Sequence, residues 1–245
     1  MPVRREFRDK LCVYCRRIKA ETDDHIFSSK LFLEKDRGNL PEAPACRACN
    51  SKKSRLEHYL ASVLPFGGRH EQAVENLQAG VPRRLSKNLK LYRELSRSAE
   101  PVWLRENGGL YQRTSMVAFD SSKLVGLLKF VGLGLAWHHW KIYLRPADVV
   151  SVMLLPDTAS AVFASMTSNW RNAQRVVENL GDGTIRYVGV QAPDPPELTV
   201  WTIWMYGGLV LSDDRRKSEG DMESCSMWWV ITGPPEIEDM TERLK

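Results

Sequence analysis

Four of the five cysteines in this 245-residue chain fall into two Cys-x-x-Cys pairs, Cys12 with Cys15 and Cys46 with Cys49. No other feature constrains the fold as strongly. Each pair can offer two thiolates from one tight turn, and zinc takes four ligands tetrahedrally, so together the pairs read as one structural zinc site. In a reducing compartment, paired cysteines serve as metal ligands more often than as disulfides. A redox role is disfavoured, because nothing nearby reads as a thioredoxin-like βαβ unit. Residues 16–45 separate the pairs, which is long for a minimal zinc ribbon, so the insertion must itself fold. The remaining cysteine, Cys225, reads as a buried thiol.

Inside and just after the insertion the chain reads Asp23-Asp24-His25-Ile26, then Gly38-Asn39-Leu40, then Ala45-Cys46-Arg47-Ala48-Cys49-Asn50-Ser51-Lys52-Lys53. Order, residue types and spacing over about residues 10–60 resemble the HNH (His-Me finger) endonucleases. In that pattern D-H-I is followed by N-L and then by C-x-x-C-N-x-x-K. The resemblance implies a ββα-metal finger, a hairpin with a helix packed beneath it, stapled by zinc because so short a unit can hardly build a core alone.

Phosphodiester hydrolysis needs a base that works near neutral pH and positive charge to offset the phosphate. The resemblance gives these tasks to particular residues. His25 is the general base. Asp24 and Asn50 hold a catalytic Mg²⁺ or Mn²⁺ through oxygen. Asn39 holds the loop and orients His25. Asp23 is the alternative ligand to Asp24, since neighbouring strand residues face opposite ways. Read without the resemblance, His25 is a surface histidine, Asn39 an ordinary turn residue and Asn50 a helix cap. Lys52, Lys53 and Arg55 are expected at phosphates near the helix start, with a solvated helix face as the alternative. Glu57 and His58, two turns beyond Asn50 on roughly the same side, are expected to be exposed or packing residues, with support of the site residues as the alternative.

Three zones are expected: an HNH nuclease domain over residues 1–64, a basic helical linker over 65–100, and a carboxy-terminal α+β domain over 101–245. In the first zone a helix is expected from about Ala48 to Leu64. In the second, Glu71–Leu77 and Lys87–Leu95 read as helical. In the third, Asp120 or Ser121 caps a helix carrying Leu124, Leu127, Leu128, Val131 and Leu135 on one face. A second helical region is expected over Ala147–Val177, interrupted near Pro156. Strands follow at Ile185–Val190, Leu198–Met205, Leu209–Ser212 and Ser226–Ile231, with Gly207-Gly208 as a turn. Helices followed by a run of strands give an α+β class with a mostly antiparallel sheet.

The net charge is +5, and the basic residues cluster: Arg4, Arg5, Arg8 and Lys10 at the start, Arg83, Arg84, Lys87, Lys90 and Arg93 later. Such clusters suit a polyanion, and the expected substrate is DNA, with RNA left open. No apolar run is long enough for a membrane span and no secretory signal is visible, so a cytoplasmic protein is expected. Residues 101–245 are expected to serve targeting, sensing, a protein partner or a homo-oligomer. The layout is similar to bacterial HNH proteins of restriction or antiphage systems. Two further features read as structural. His138-His139 are adjacent on a helix and cannot share a metal, and Trp201, Trp204, Trp228 and Trp229 read as core or partner-surface residues rather than base-stacking platforms.

Overall fold

A computed structural model describes residues 4–105, 111–156, 160–209 and 226–237. Cys225 and the end of the strand expected at Leu209–Ser212 lie outside them. The fold is α+β with antiparallel sheets. In the amino-terminal part, β1 (Thr22–His25) pairs antiparallel with β2 (Glu42–Ala45), setting His25 opposite Glu42 and Asp24 opposite Ala43. The 17-residue α1 (Arg47–Val63) follows at once. It ends where Pro65 and the Gly67-Gly68 pair stop it, as expected. Three short helices come next: α2 (Glu71–Gln78), α3 (Gly80–Ser86) and α4 (Leu89–Ser98). They are tied to the amino-terminal part. The Asn76 amide donates to the Leu31 carbonyl at 2.9 Å, and the Arg84 guanidinium donates to the Ala61 carbonyl at 2.7 Å.

A strand pair absent from the sequence reading comes next, β3 (Glu100–Arg105) with β4 (Tyr111–Met116). Then α5 (Ser121–Trp140) runs for 20 residues, capped at its start by the Asp120 carboxylate accepting from the Ser122 N–H. It is apolar on more than one side because it is covered on more than one side. A Cβ at Gly134 would come within 2.9 Å of Ile26 beside the β1–β2 pair, and one at Gly132 within 2.5 Å of Val230 in the large sheet.

The large sheet overturns one expectation. Residues 147–177 are not helical throughout. They form β5 (Val149–Pro156), α6 (Ser160–Ser168) and β6 (Gln174–Leu180). The physical reason is visible in Val149-Val150-Ser151-Val152, whose β-branched side chains suit a pleated surface better than a helix. With β7 (Ile185–Gln191), β8 (Thr199–Met205) and β9 (Ser226–Gly233), these strands build one antiparallel sheet in the order β5-β9-β8-β7-β6. Trp201, Trp228 and Trp229 are buried in it. One apolar core runs from Phe7, Ile26 and Phe27 through Leu60 and the inner face of α5 to Tyr187, Trp201 and Val230. Among the described residues no helix is long and apolar enough to cross a membrane.

The end of α5 makes a pH prediction. His138 Nδ1 lies 3.0 Å from the Glu42 carbonyl and His139 Nε2 lies 3.0 Å from the Tyr187 hydroxyl, so the two rings serve different neighbours. Burial, then the charges of His138 and Lys141, bring the His139 imidazole down to about 4 from an ordinary 6.5. Its affinity for a proton is therefore lower folded than unfolded, and stability is lost as pH falls from about 6.5 towards 4. Denaturant midpoints measured across that window should drop on acidification, and His139→Gln should flatten the drop.

Candidate functional site

The four paired cysteines come together at the junction of the β1–β2 pair and α1. Their sulfurs all lie within 4.8 Å of one another, with Cys15 Sγ and Cys46 Sγ 3.9 Å apart. Zinc–thiolate bonds of ~2.3 Å in a tetrahedron place sulfurs about 3.8 Å apart, so the donor set fits such an ion. The chain builds this locally. Arg16, with φ 56, turns the first pair back so that its N–H reaches the Cys12 carbonyl at 2.8 Å. Cys46 is the residue before α1, and its sulfur accepts from the Cys49 N–H at 3.5 Å. The thiols are crowded. Burial pushes Cys15 up, but backbone N–H groups of Arg17 and Ile18 and bonds with Cys12 and Cys46 outweigh it and leave the thiol at about 7. Burial, the Cys46 contact and the other sulfurs push Cys49 well up. A bound dication relieves that crowding. The four cysteines thus form a cluster that can hold a metal such as zinc.

His25 closes β1. Its side chain is 42% exposed, and its Nδ1 lies 3.1 Å from Glu42 Oε1. That is a charge-pairing distance, off the line of a hydrogen bond. The same carboxylate oxygen takes the Arg4 guanidinium at 2.8 Å, and the Arg4 N–H donates to Asp23 at 3.0 Å. Strand alternation puts Asp23, His25 and Glu42 on one face of the pair.

Asp24 faces the other way and is 5% exposed. Its Oδ2 accepts from the Tyr14 hydroxyl and lies 3.1 Å from Lys53 Nζ. Burial and the Asp24 charge push the Tyr14 phenol well up, so it stays protonated and donates. Lys53 is 0% exposed, and its ammonium also meets Glu57 Oε1 at 2.5 Å and the His25 carbonyl at 2.6 Å. Three oxygens therefore surround one buried ammonium. This corrects the expectation for Lys53, which cannot touch a phosphate from inside the protein. Lys52 and Arg55 are exposed on α1.

Asn50 stands in the first turn of α1, and its Nδ2 donates to Thr22 Oγ1 at 2.9 Å, on the Asp24 side of the strand pair. Asn39 is an exposed turn residue with φ 56, a left-handed conformation that asparagine tolerates. Among the described residues no hydrogen bond links it to His25. The structure thus gathers the cysteines. It does not bring His25, Asp24 and Asn50 onto one face, and it spends the Asp24 carboxylate on Tyr14 and Lys53.

Sequence reasoning misses Glu42 and Tyr14, gives Arg4 no place at the site, and offers Glu57 a supporting place only as an alternative. Glu57 left a signal: Lys53, Glu57, Leu60 and Leu64 follow i, i+4, i+7, i+11 spacing, which places both charges on the stripe that α1 buries. Glu42 left none, because its role depends on strand register. Comparison with protein-family models, with curated proteins and with solved structures gave no match.

Proposed function

We propose that this chain is a zinc-stapled hydrolase of DNA phosphodiester bonds, of the HNH kind, with His25 as the base. The observation that supports this reading best is the His25 imidazole. It ends a strand beside the cysteine cluster, reaches solvent, and sets one nitrogen against a carboxylate. With Nδ1 turned to Glu42, Nε2 is the nitrogen left for a water. It takes a proton as the water oxygen attacks phosphorus. The P–O3′ bond then breaks, and the departing oxygen is protonated from solvent. The imidazolium so formed is stabilised by the Glu42 carboxylate, and exposed Arg4 adds positive charge beside it. Cys12, Cys15, Cys46 and Cys49 would hold the zinc, which would fix α1 against the strands, away from the substrate.

The divalent ion that the resemblance implies does not fit Asp24 and Asn50 as they stand. The Lys53 ammonium already supplies the positive charge at Asp24, and the carboxylate is buried. No step of the reaction is therefore assigned to an ion there. The same observation favours a second reading, a zinc-stapled nucleic-acid-binding module without catalysis.

Plasmid nicking, measured with and without Mg²⁺ or Mn²⁺, separates the two. His25→Ala should slow nicking by about 10²–10⁴, the usual worth of a general base. Nicking that survives His25→Ala would sink the mechanism. Duplex binding with no nicking under any condition selects the second reading.

A further inference from the structure

We propose that Lys30 and His58, with the Arg84 guanidinium fixed behind them, form a phosphate-binding subsite beside α1, which holds a backbone phosphate of the nucleic-acid strand some nucleotides away from the bond facing His25; this rests on the reading above. Three separate elements bring the residues together. Lys30 lies in the short helical turn Ser29–Leu31 that follows β1, His58 lies on α1, and Arg84 on α3. Lys30 Nζ and His58 Nε2 are 2.9 Å apart. Two cationic nitrogens cannot both keep their protons that close without an anion. The imidazole is thus the neutral acceptor and the ammonium the donor, and the pair carries one positive charge where it has capacity for two.

Arg84 is held rigidly behind them. Its guanidinium donates to the Lys30 carbonyl at 3.2 Å, the Ala61 carbonyl at 2.7 Å and Asn76 Oδ1 at 2.8 Å, while its buried Nε has no hydrogen-bond partner among the described residues. Glu57, whose charge acts on both His58 and Lys30, is committed to Lys53 at 2.5 Å. The electrostatics agree. Burial lowers the proton affinity of all three side chains. Lys30 and Arg84 add to the effect at His58, Arg84 adds to it at Lys30, and Arg37 adds to it at Arg84. Glu57 opposes it at His58 and Lys30, and Tyr206 opposes it at Arg84.

A dianionic or diester phosphate between Lys30 and His58 would let the imidazole take its proton and turn a repulsive cluster into a charge-assisted one. The placement suits a strand lying along α1. Lys53, whose ammonium meets the His25 carbonyl, stands five positions before His58 on α1, roughly 7.5 Å at ~1.5 Å per residue, or about two nucleotides at ~3.4 Å each. Exposed Arg55 lies on α1 between them, and exposed Lys52 just before them.

The test uses full-length, zinc-loaded protein carrying His25→Ala, so that DNA is not consumed. The His58 ring proton is followed by NMR through a pH titration, with His58→Gln identifying its signal. Three arms are compared: no ligand, inorganic phosphate, and a short DNA duplex at equal phosphate concentration. The duplex should raise the His58 proton affinity about tenfold, and inorganic phosphate much less. Lys30→Gln with His58→Gln should weaken duplex binding about tenfold at low salt. It should also reduce the slope of log affinity against log salt by about one, since one phosphate is no longer neutralised. A His58 titration unmoved by the duplex, with an unchanged salt slope in the double variant, would overturn the subsite. An equal response to free phosphate would overturn its assignment to a nucleic-acid strand. These failures are distinct from failure of the hydrolase reading. If His58 responds to the duplex but the parent protein never nicks DNA, the hydrolase reading falls and the subsite stands.

Discussion

Purified protein should carry about one zinc ion per chain, and Cys46→Ser should remove both the ion and much of the stability of the amino-terminal part. Cys46 is the most exacting choice, since its sulfur belongs to the four-cysteine cluster and is also the acceptor that caps α1. Structural zinc binds with on the order of 10 kcal/mol or more of apparent free energy, which becomes folding free energy when the site exists only in the folded state. In this chain the strands and α1 also share a core with α5, so part of the fold survives without the ion. A loss of about 5 kcal/mol is expected, or some 10–20 °C in Tm for a chain of this size. Metal analysis with thermal melts of the parent, the chelated protein and the variant reads it directly. A variant that melts with the parent and still carries stoichiometric zinc would show that the cluster is not the staple. Because thiolates must be deprotonated to bind, zinc should also leave as the pH falls.

Lys53→Met should be the most damaging single change away from the cysteines. It removes the one positive charge from a buried group holding the Asp24 and Glu57 carboxylates, and it takes the donor from the His25 carbonyl. Removing one partner of a buried charge pair typically costs about 3–5 kcal/mol, because the other is left uncompensated. Chemical denaturation of the variant should show that loss. Adding Asp24→Asn and Glu57→Gln to it should recover part, since the stranded charges go too. Where the parent nicks DNA, nicking should fall as well, as the strand end bearing His25 loses an anchor. A Lys53→Met protein within about 1 kcal/mol of the parent would mean that water reaches and compensates the carboxylates.

What was legible in the sequence was local. Two cysteine knuckles, a histidine between them and a helix starting at the second knuckle lie within a short stretch, and the bounds of α1 followed from its apolar spacing and from Pro65. The partnership of Asp24 with Lys53 was not legible from the motif, which gives residue types and distances along the chain but not the side each faces. Read as a basic run after a cysteine, Lys52, Lys53 and Arg55 look alike; packed against β1, only Lys53 turns inward. The strand β5 is missed for another reason. An apolar run such as Val149–Leu155 has no period that separates a buried strand from a buried helix until its partner is known, and the partner, β9, lies some seventy residues downstream.

Two of the three bare positions on α5 leave no slack in that part of the molecule. Gly132 lets the helix touch Val230 of the sheet and Gly134 lets it touch Ile26, the residue after His25. The helix therefore acts as a shim of fixed thickness. A methyl group added at either position would push the sheet and the strand that carries the imidazole apart.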